Sequence, residues 1–259
     1  MKTDISECIA IIPARYASTR FPGKPLAELG GKFMIERVVR QVEKSGIQCA
    51  VATDDNRIAE ALDSKGIRVV MTGTHHRSGT DRIEEAASIL GSKAKIIINV
   101  QGDEPFIRPE QIEALVGCFD NPETQIATLA KRFDPAAGYE ALEDPNLVKV
   151  VVSDGGKALY FSRSVIPYLR SQPKEEWPKL HNYLTHIGMY AYRREVLTEI
   201  TRLPQSPLEK AESLEQLRWL QAGYSIGVAV TPFDTIGIDT PEDLHQAEKY
   251  LENHIELFG

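Results

Sequence analysis

The sequence has little of what builds staples, metal clusters or membrane spans. It holds three cysteines, Cys8, Cys49 and Cys118, odd in number and far apart. They show no C-x-x-C or zinc spacing, which fits a reducing compartment. No window approaches about 18 apolar residues, so no membrane-spanning helix is expected. The start, MKTDISECIAIIPAR, has too short an apolar run for a secretory signal and carries Asp4 and Glu7 where positive charge belongs. A soluble cytoplasmic protein is expected. No G-x-G-x-x-G follows a strand-like run, which disfavours an ordinary dinucleotide fold. No G-x-S-x-G occurs and no Cys/His pairing stands out, so covalent catalysis has no support. Positive charge is in deficit: 30 Lys and Arg face 37 Asp and Glu, a net of −7. That argues against nucleic acid as a partner but leaves room for a local basic pocket.

What is present is an ordinary globular composition, 42% hydrophobic and 26% charged over 259 residues, which excludes disorder and coiled coil. Short apolar runs alternate with helical spacings. Ile9 to Ile12, Ala50 to Ala52, Val69 to Met71 and Ile96 to Val100 read as buried strands. Between and after them, apolar positions recur at helical spacing: Met34 to Val42, closed by Gly46; Ile58 to Leu62; Ile83 to Leu90; and Ile112 to Val116. Strand–helix repeated four times predicts an α/β fold with a mostly parallel sheet covered by helices on both faces. Right-handed crossovers put the strand C-terminal ends along one edge, and ligands bind beyond such ends.

The second half reads differently. Val148 to Val152 and Ala158 to Phe161 predict a hairpin turning at Asp154-Gly155-Gly156. Residues 170–183 read as a loop, Ile187 to Tyr192 and Ile226 to Val230 as strands. Leu208 to Leu220 reads as one amphipathic helix, and 241–255 as a closing helix with Pro241 in its first turn. The expected organisation is a single domain, 1–259, with an inserted antiparallel sub-region near 133–200.

Three loops attract chemistry. The first, after the first strand, runs Pro13-Ala14-Arg15-Tyr16-Ala17-Ser18-Thr19-Arg20-Phe21-Pro22-Gly23-Lys24-Pro25, with three cations among small residues, as a polyphosphate site needs. It is no Walker A loop, because Pro25 follows Gly23-Lys24. The second, Gln101-Gly102-Asp103-Glu104-Pro105, places a carboxylate at a strand end, a natural Mg2+ ligand beside a phosphate; an acidic turn is the equally weighted bland reading. The third holds His75 and His76, whose side chains diverge and lack a third ligand, so zinc is not expected. Ser78 or Thr80 there caps the following helix. Thr240, Pro241 and Asp243 form a helix start that needs no function, and Asp239 matters only if its loop folds back beside Asp103. His186, Gly188 and Tyr190 share one strand face. Glu212, Glu215, Gln216 and Trp219 fall on one helical stripe, for which a solvated face is the commoner reading.

IIPARYASTRFPGKPL, VATDD, MTGTHHRSGTDR, NVQGDEPFI, ALYFSRSVIP, HIGMYAYR, SPLEKAESLEQLRWL and GIDTPEDL, in this order, resemble the 3-deoxy-manno-octulosonate (Kdo) cytidylyltransferases, from about residue 9 to 250. The resemblance implies a Rossmann-like nucleotidyltransferase fold and a homodimer. It implies transfer of CMP from CTP to Kdo, with Mg2+ as cofactor and pyrophosphate as by-product, in lipopolysaccharide synthesis. It implies Arg15 and Lys24 as triphosphate-binding cations, and Ala14, Ser78 and Gln101 as nucleotide contacts. Asp103 and Asp239 become the metal carboxylates, and Arg163, His186, Tyr190, Glu215 and Gln216 the sugar pocket. Arg15, Lys24 and Asp103 are then the catalytic set. Phe33 stands where the family usually has proline, with no expected effect on chemistry. A related sugar acid (8-amino-Kdo or a sialic acid), a glycosyltransferase and a non-catalytic nucleotide-binding regulator remain as other readings.

Overall fold

The computed structural model of the chain describes residues 2–17, 20–91 and 93–259. Strand β1 is Cys8–Ala14, an almost wholly buried run that the neighbouring strands cover from both edges. The minor hairpin β2 (Glu28–Leu29) and β3 (Lys32–Phe33) leads into helix α1 (Met34–Lys44). Met34, Ile35, Val38, Val39 and Val42 are the buried face of α1, and Gly46, at φ 76°, ends it by donating its N–H to Glu43. Phe33 precedes α1 at φ −64°, the value a proline ring would impose, so the helix start keeps its direction without one.

Next come β4 (Gln48–Thr53), α2 (Asn56–Asp63), β5 (Val69–Met71), α3 (Gly79–Ile89), β6 (Ile96–Asn99) and α4 (Pro109–Gly117). Beyond them lie β7 (Ile126–Arg132), α5 (Gly138–Glu143), β8 (Lys149–Val152), β9 (Ala158–Ser162), α6 (Trp177–Leu180) and β10 (Leu184–Arg193). The chain ends with α7 (Arg194–Ile200), α8 (Pro207–Glu212), α9 (Gln216–Gln221), β11 (Ile226–Val230), α10 (Pro241–Glu252) and α11 (Ile255–Phe258).

Residue contacts group the chain into two compact units. The first holds Asp4–Glu113, Ala191–Thr201 and Thr235–Gly259. Its strands run β6–β1–β4–β5, all parallel, with Ile11 beside both Ala50 and Asn99. Helices α1, α2 and α3 pack on them. This is the alternating pattern expected from the sequence, with the loops after β1, β5 and β6 leaving the same strand ends.

The second unit holds residues 2–3, Ala114–Tyr190 and Arg202–Asp234. Here β7 lies parallel to β11, with Ile126 beside Ile226, and β8 pairs antiparallel with both β9 and β10. The β8–β9 hairpin turns where expected, with Gly156 at φ 72°. Strand β7 has no counterpart in the sequence reading, because IATLAKR does not alternate cleanly and three polar residues part it from the turn signal at Asn121-Pro122.

Three expectations need correction here. Residues 170–183 are not wholly a loop: Lys174–Glu176 forms a 3-10 turn and α6 follows. Trp177 drives this, being 2% exposed with its indole N–H on the Gln172 carbonyl. The helix expected over 208–220 is two helices, broken at Ser213, whose φ is 53°. The last helix stops at Glu252, and Ile255–Phe258 is a separate turn.

In the first unit Leu29, Met34, Phe106, Ile238, Ala247, Leu251 and Phe258 make one apolar cluster. Arg37, 4% exposed, runs beside it. Its guanidinium donates to the carbonyls of Leu29 at 2.5 Å, Gly30 at 2.7 Å and Phe258 at 2.8 Å. One side chain thereby ties the β2–β3 hairpin to the C-terminal turn. Arg37→Met is expected to leave those carbonyls unmet and cost about 2–3 kcal/mol. Urea unfolding checks the loss, and limited proteolysis should cut first near residue 255; an unchanged midpoint would show that the clamp contributes nothing.

Candidate active site

The cleft in the first unit begins where β1 ends. Pro13, Ala14 and Arg15 line it together with Ala17, Arg20, Lys24, Pro25, Gly79, Arg82, Gln101, Gly102 and Asp103, around a volume of about 390 Å3. The loops after β1, β5 and β6 thus meet at one place, as the parallel topology requires. Ser18 and Thr19 of the first loop lie outside the described residues.

Each loop is held by a specific backbone arrangement. The loop after β1 folds on itself: the Gly23 N–H reaches the Tyr16 carbonyl at 2.9 Å, and Gly23 adopts φ 73°. A 3-10 turn over Lys24–Leu26 then sends the Lys24 side chain inward, leaving it 14% exposed. The turn after β6 lies against β1: a Cβ on Gly102 would stand 2.8 Å from the Pro13 carbonyl oxygen and 3.1 Å from Ile35. Gly102 is therefore needed for its approach to the neighbouring strand. The loop before α10 is drawn in by the Ile238 N–H, which donates to the Asp103 carbonyl at 3.0 Å, while the Ile238 side chain is fully buried.

These arrangements put Asp239 beside Asp103, the condition its functional reading required. Lys24 Nζ sits between them, 2.5 Å from Asp103 Oδ2 and 3.1 Å from Asp239 Oδ1. Arg20 closes the group at 3.1 Å from Asp239 Oδ2. Burial alone would lower the Lys24 pKa, but the two carboxylates more than offset it and hold the ammonium above its ordinary value. Two hard oxygen donors converging on one cation suit Mg2+, which takes one or two carboxylates and completes its shell with phosphate and water. Glu104, next in the chain, is not part of this group. Burial and the Asp103 charge push its carboxyl up to about 8, and its Oε2 meets no hydrogen-bond partner among the described residues.

The remaining nucleotide candidates fall as follows. Arg15 is exposed on the cleft, Ala14 is buried in its floor, and Gln101 lines it. Ser78 caps α3, its hydroxyl accepting the Asp81 N–H at 3.1 Å, and presents Gly79 to the cleft. His76 bonds Glu85 at 2.5 Å, and the same carboxylate accepts the Gly73 N–H. That pair braces the loop. Arg82, which the sequence reading did not single out, is 1% exposed and ties α3 to Asp54 at 2.8 Å and Thr72 at 2.7 Å.

The sugar candidates sit in the second unit. His186 and Tyr190 share a face of β10 with ring centroids 5.4 Å apart; Phe161 flanks His186 and Trp219 flanks Tyr190. Burial pushes the His186 imidazole down to about 3, so the ring is neutral. The break at Ser213 frees Glu215 and Gln216 from one continuous helical stripe. Glu209 and Arg218 staple the two short helices at 2.6 and 2.8 Å. Arg163 holds the break itself, donating to the carbonyls of Glu212, Pro145 and Ser213. Glu212 in turn accepts from the Ser162 hydroxyl and the Arg163 N–H. Glu212 sat on the stripe already noted, but nothing in the sequence marks it as the hub.

A family model described as Cytidylyltransferase matches residues 9–226. The chain belongs to this family. The 3-deoxy-manno-octulosonate cytidylyltransferase of Phocaeicola vulgatus is 58% identical over 94% of this chain and 97% of its own length. That of Bacteroides thetaiotaomicron is 56% identical over 95% and 98%. A solved CMP:2-keto-3-deoxy-manno-octonic acid synthetase complexed with CTP superposes with a TM-score of 0.87 at 42% identity, covering 96% of this chain and all of that one. This cytidylyltransferase is a nucleotidyltransferase, with the fold expected from its sequence.

Gly102→Ala tests the geometry. The added methyl meets a backbone oxygen that belongs to β1, so the turn carrying Asp103 must move. Displacing a reacting group by about 1 Å costs on the order of 10²-fold in rate. Turnover with CTP is expected to fall by that order while the melting temperature drops only modestly; unimpaired turnover would show that the turn has slack.

Proposed function

We propose that this chain transfers CMP from CTP to the anomeric hydroxyl of 3-deoxy-D-manno-octulosonate, giving CMP-Kdo and pyrophosphate for lipopolysaccharide synthesis. The observation that carries this reading is the Lys24 ammonium held between Asp103 and Asp239 in the basic cleft of a chain so similar to named Kdo cytidylyltransferases. Arg15 and Lys24 neutralise the triphosphate. Gln101 and the backbone at Ala14 contact the nucleotide, and Ser78 holds the start of α3 against it. Asp103 and Asp239 would hold Mg2+, leaving the Lys24 ammonium to the phosphates. When bound, Mg2+ supplies Lewis-acid polarisation of phosphoryl oxygens. His186, Tyr190, Glu215, Gln216 and Arg163 recognise the sugar acid, with Arg163 also fixing the loop that displays Glu215 and Gln216. The sugar hydroxyl attacks the α-phosphorus in line and pyrophosphate leaves, so the chain contributes chiefly positioning and charge.

Two further parts of the reading rest on separate observations. The 133–200 region, which carries the exposed apolar side chains Leu159, Tyr168 and Leu180, is the surface proposed for a homodimer contact. Cys8, Cys49 and Cys118 are all free thiols, which supports the cytoplasm as the compartment. No helix is long and apolar enough to cross a membrane among the described residues.

A pyrophosphate-release assay with CTP, Mg2+ and a panel of Kdo, 8-amino-Kdo and a sialic acid tests the reading. Kdo is expected to give the highest kcat/KM. Asp103→Asn is expected to abolish release with the circular dichroism spectrum unchanged; near-normal release would remove Asp103 from the metal site. Lys24→Ala is expected to cost on the order of 10²-fold or more, the usual loss when a preorganised charge is deleted.

A further inference from the structure

Thr128 lies at the middle of β7 and is fully buried. Its hydroxyl oxygen stands 2.9 Å from His186 Nε2, 2.8 Å from the Met189 carbonyl oxygen and 3.2 Å from the Ile187 carbonyl oxygen. A threonine hydroxyl has one proton to donate and two lone pairs. Carbonyl oxygens only accept, and two oxygens at 2.8 Å repel unless a proton lies between them. The proton therefore goes to Met189. What Thr128 turns toward His186 is a lone pair, and the ring must meet it with an N–H.

We propose that Thr128 is a positioning residue for sugar recognition: it fixes His186 as the Nε2–H tautomer, so that Nδ1 is presented as a hydrogen-bond acceptor for a hydroxyl of the sugar acid. Which nitrogen of a histidine carries the proton follows from the bond made by the other one. Phe161 and Tyr190 flank the ring and keep it from turning over. The neutrality of His186, argued above from its burial, leaves the second nitrogen unprotonated. The inference rests on the reading of His186 as a sugar contact and adds the direction of its hydrogen bond. No motif in the sequence points to Thr128; only the pairing of β7 with β10 brings it beside His186.

Thr128→Val removes the hydroxyl at nearly constant shape, Thr128→Ala removes it without any new contact, and Thr128→Ser restores it. In 15N-histidine-labelled protein, long-range proton–nitrogen correlation is expected to show His186 as Nε2–H in the wild type and in Thr128→Ser. Valine and alanine are expected to mix the tautomers and to raise KM for Kdo about tenfold, the worth of one hydrogen bond, with kcat and the KM for CTP little changed. If the valine and alanine variants keep the Nε2–H tautomer and the wild-type KM for Kdo, and lose only melting temperature, the role is structural and the proposal fails. His186→Ala separates the two levels. An unchanged KM for Kdo there overturns the sugar-site reading, while the tautomer spectra still decide whether Thr128 holds the ring.

Discussion

The first unit depends on one half-buried cation shared by two carboxylates that are far apart in sequence. Lys24, Asp103 and Asp239 come from three separate segments, and each of the two ion pairs that join them would be lost if one of its segments shifted by a residue. Like charges at Asp103 and Asp239 repel, so their approach has to be held from behind. The Ile238 N–H on the Asp103 carbonyl and the burial of the Ile238 side chain do this on one side. The missing Cβ of Gly102 does it on the other, by letting the turn lie against β1. The side chains of the group remain partly exposed, 14% for Lys24 but 47% for Asp239, so solvent screens the pairing and its contribution to folding is small. Its significance is chemical: the scaffold holds two carboxylates together with a cation between them.

The second unit solves a different problem with the same means. A continuous helix over 208–220 would lay Glu212, Glu215, Gln216 and Trp219 along a single stripe. Ser213 in a left-handed conformation is disfavoured, and it persists because its surroundings hold it. The Arg163 guanidinium takes the carbonyls on both sides of the break, and Arg218 and Glu209 fasten the helices together. The strained residue thus separates Glu212, which faces Ser162, from Glu215 and Gln216. Arg163, proposed above as a recognition residue, is a structural one as well, with most of its donors already used on backbone.

The parallel strands and the three cleft loops were legible in the sequence because local signals suffice for both: apolar runs of four or five residues, and turn chemistry at their ends. Asp239 was legible only conditionally, since a helix start at Thr240 explains the same residues, and the decisive bond, Ile238 to Asp103, spans about half of the chain. The resemblance of its motifs to those of a known family supplied what spacing could not, the sugar candidates above all. Strand β7, the break at Ser213, Arg37 and Thr128 were not legible. Each is defined by partners distant in sequence, and their own neighbours in the chain give a helix-like, strand-like or neutral pattern that tertiary contacts override.

The charge of the chain takes its meaning from this geometry. A net of −7 is the wrong sign for a protein whose proposed substrates are a triphosphate and a sugar acid, if charge acts as an average. It does not, because the Debye length at physiological ionic strength is only about 8 Å. Within that range of the cleft stand Arg15, Arg20 and Lys24, all from one loop. Arg82 is there too, but Asp54 already balances it. Asp103 and Asp239 subtract from this positive group, and the proposed Mg2+ would cancel that subtraction. The acidic surplus elsewhere disfavours other polyanions, nucleic acid included, while the basic cleft lies where the proposed anionic substrate is needed.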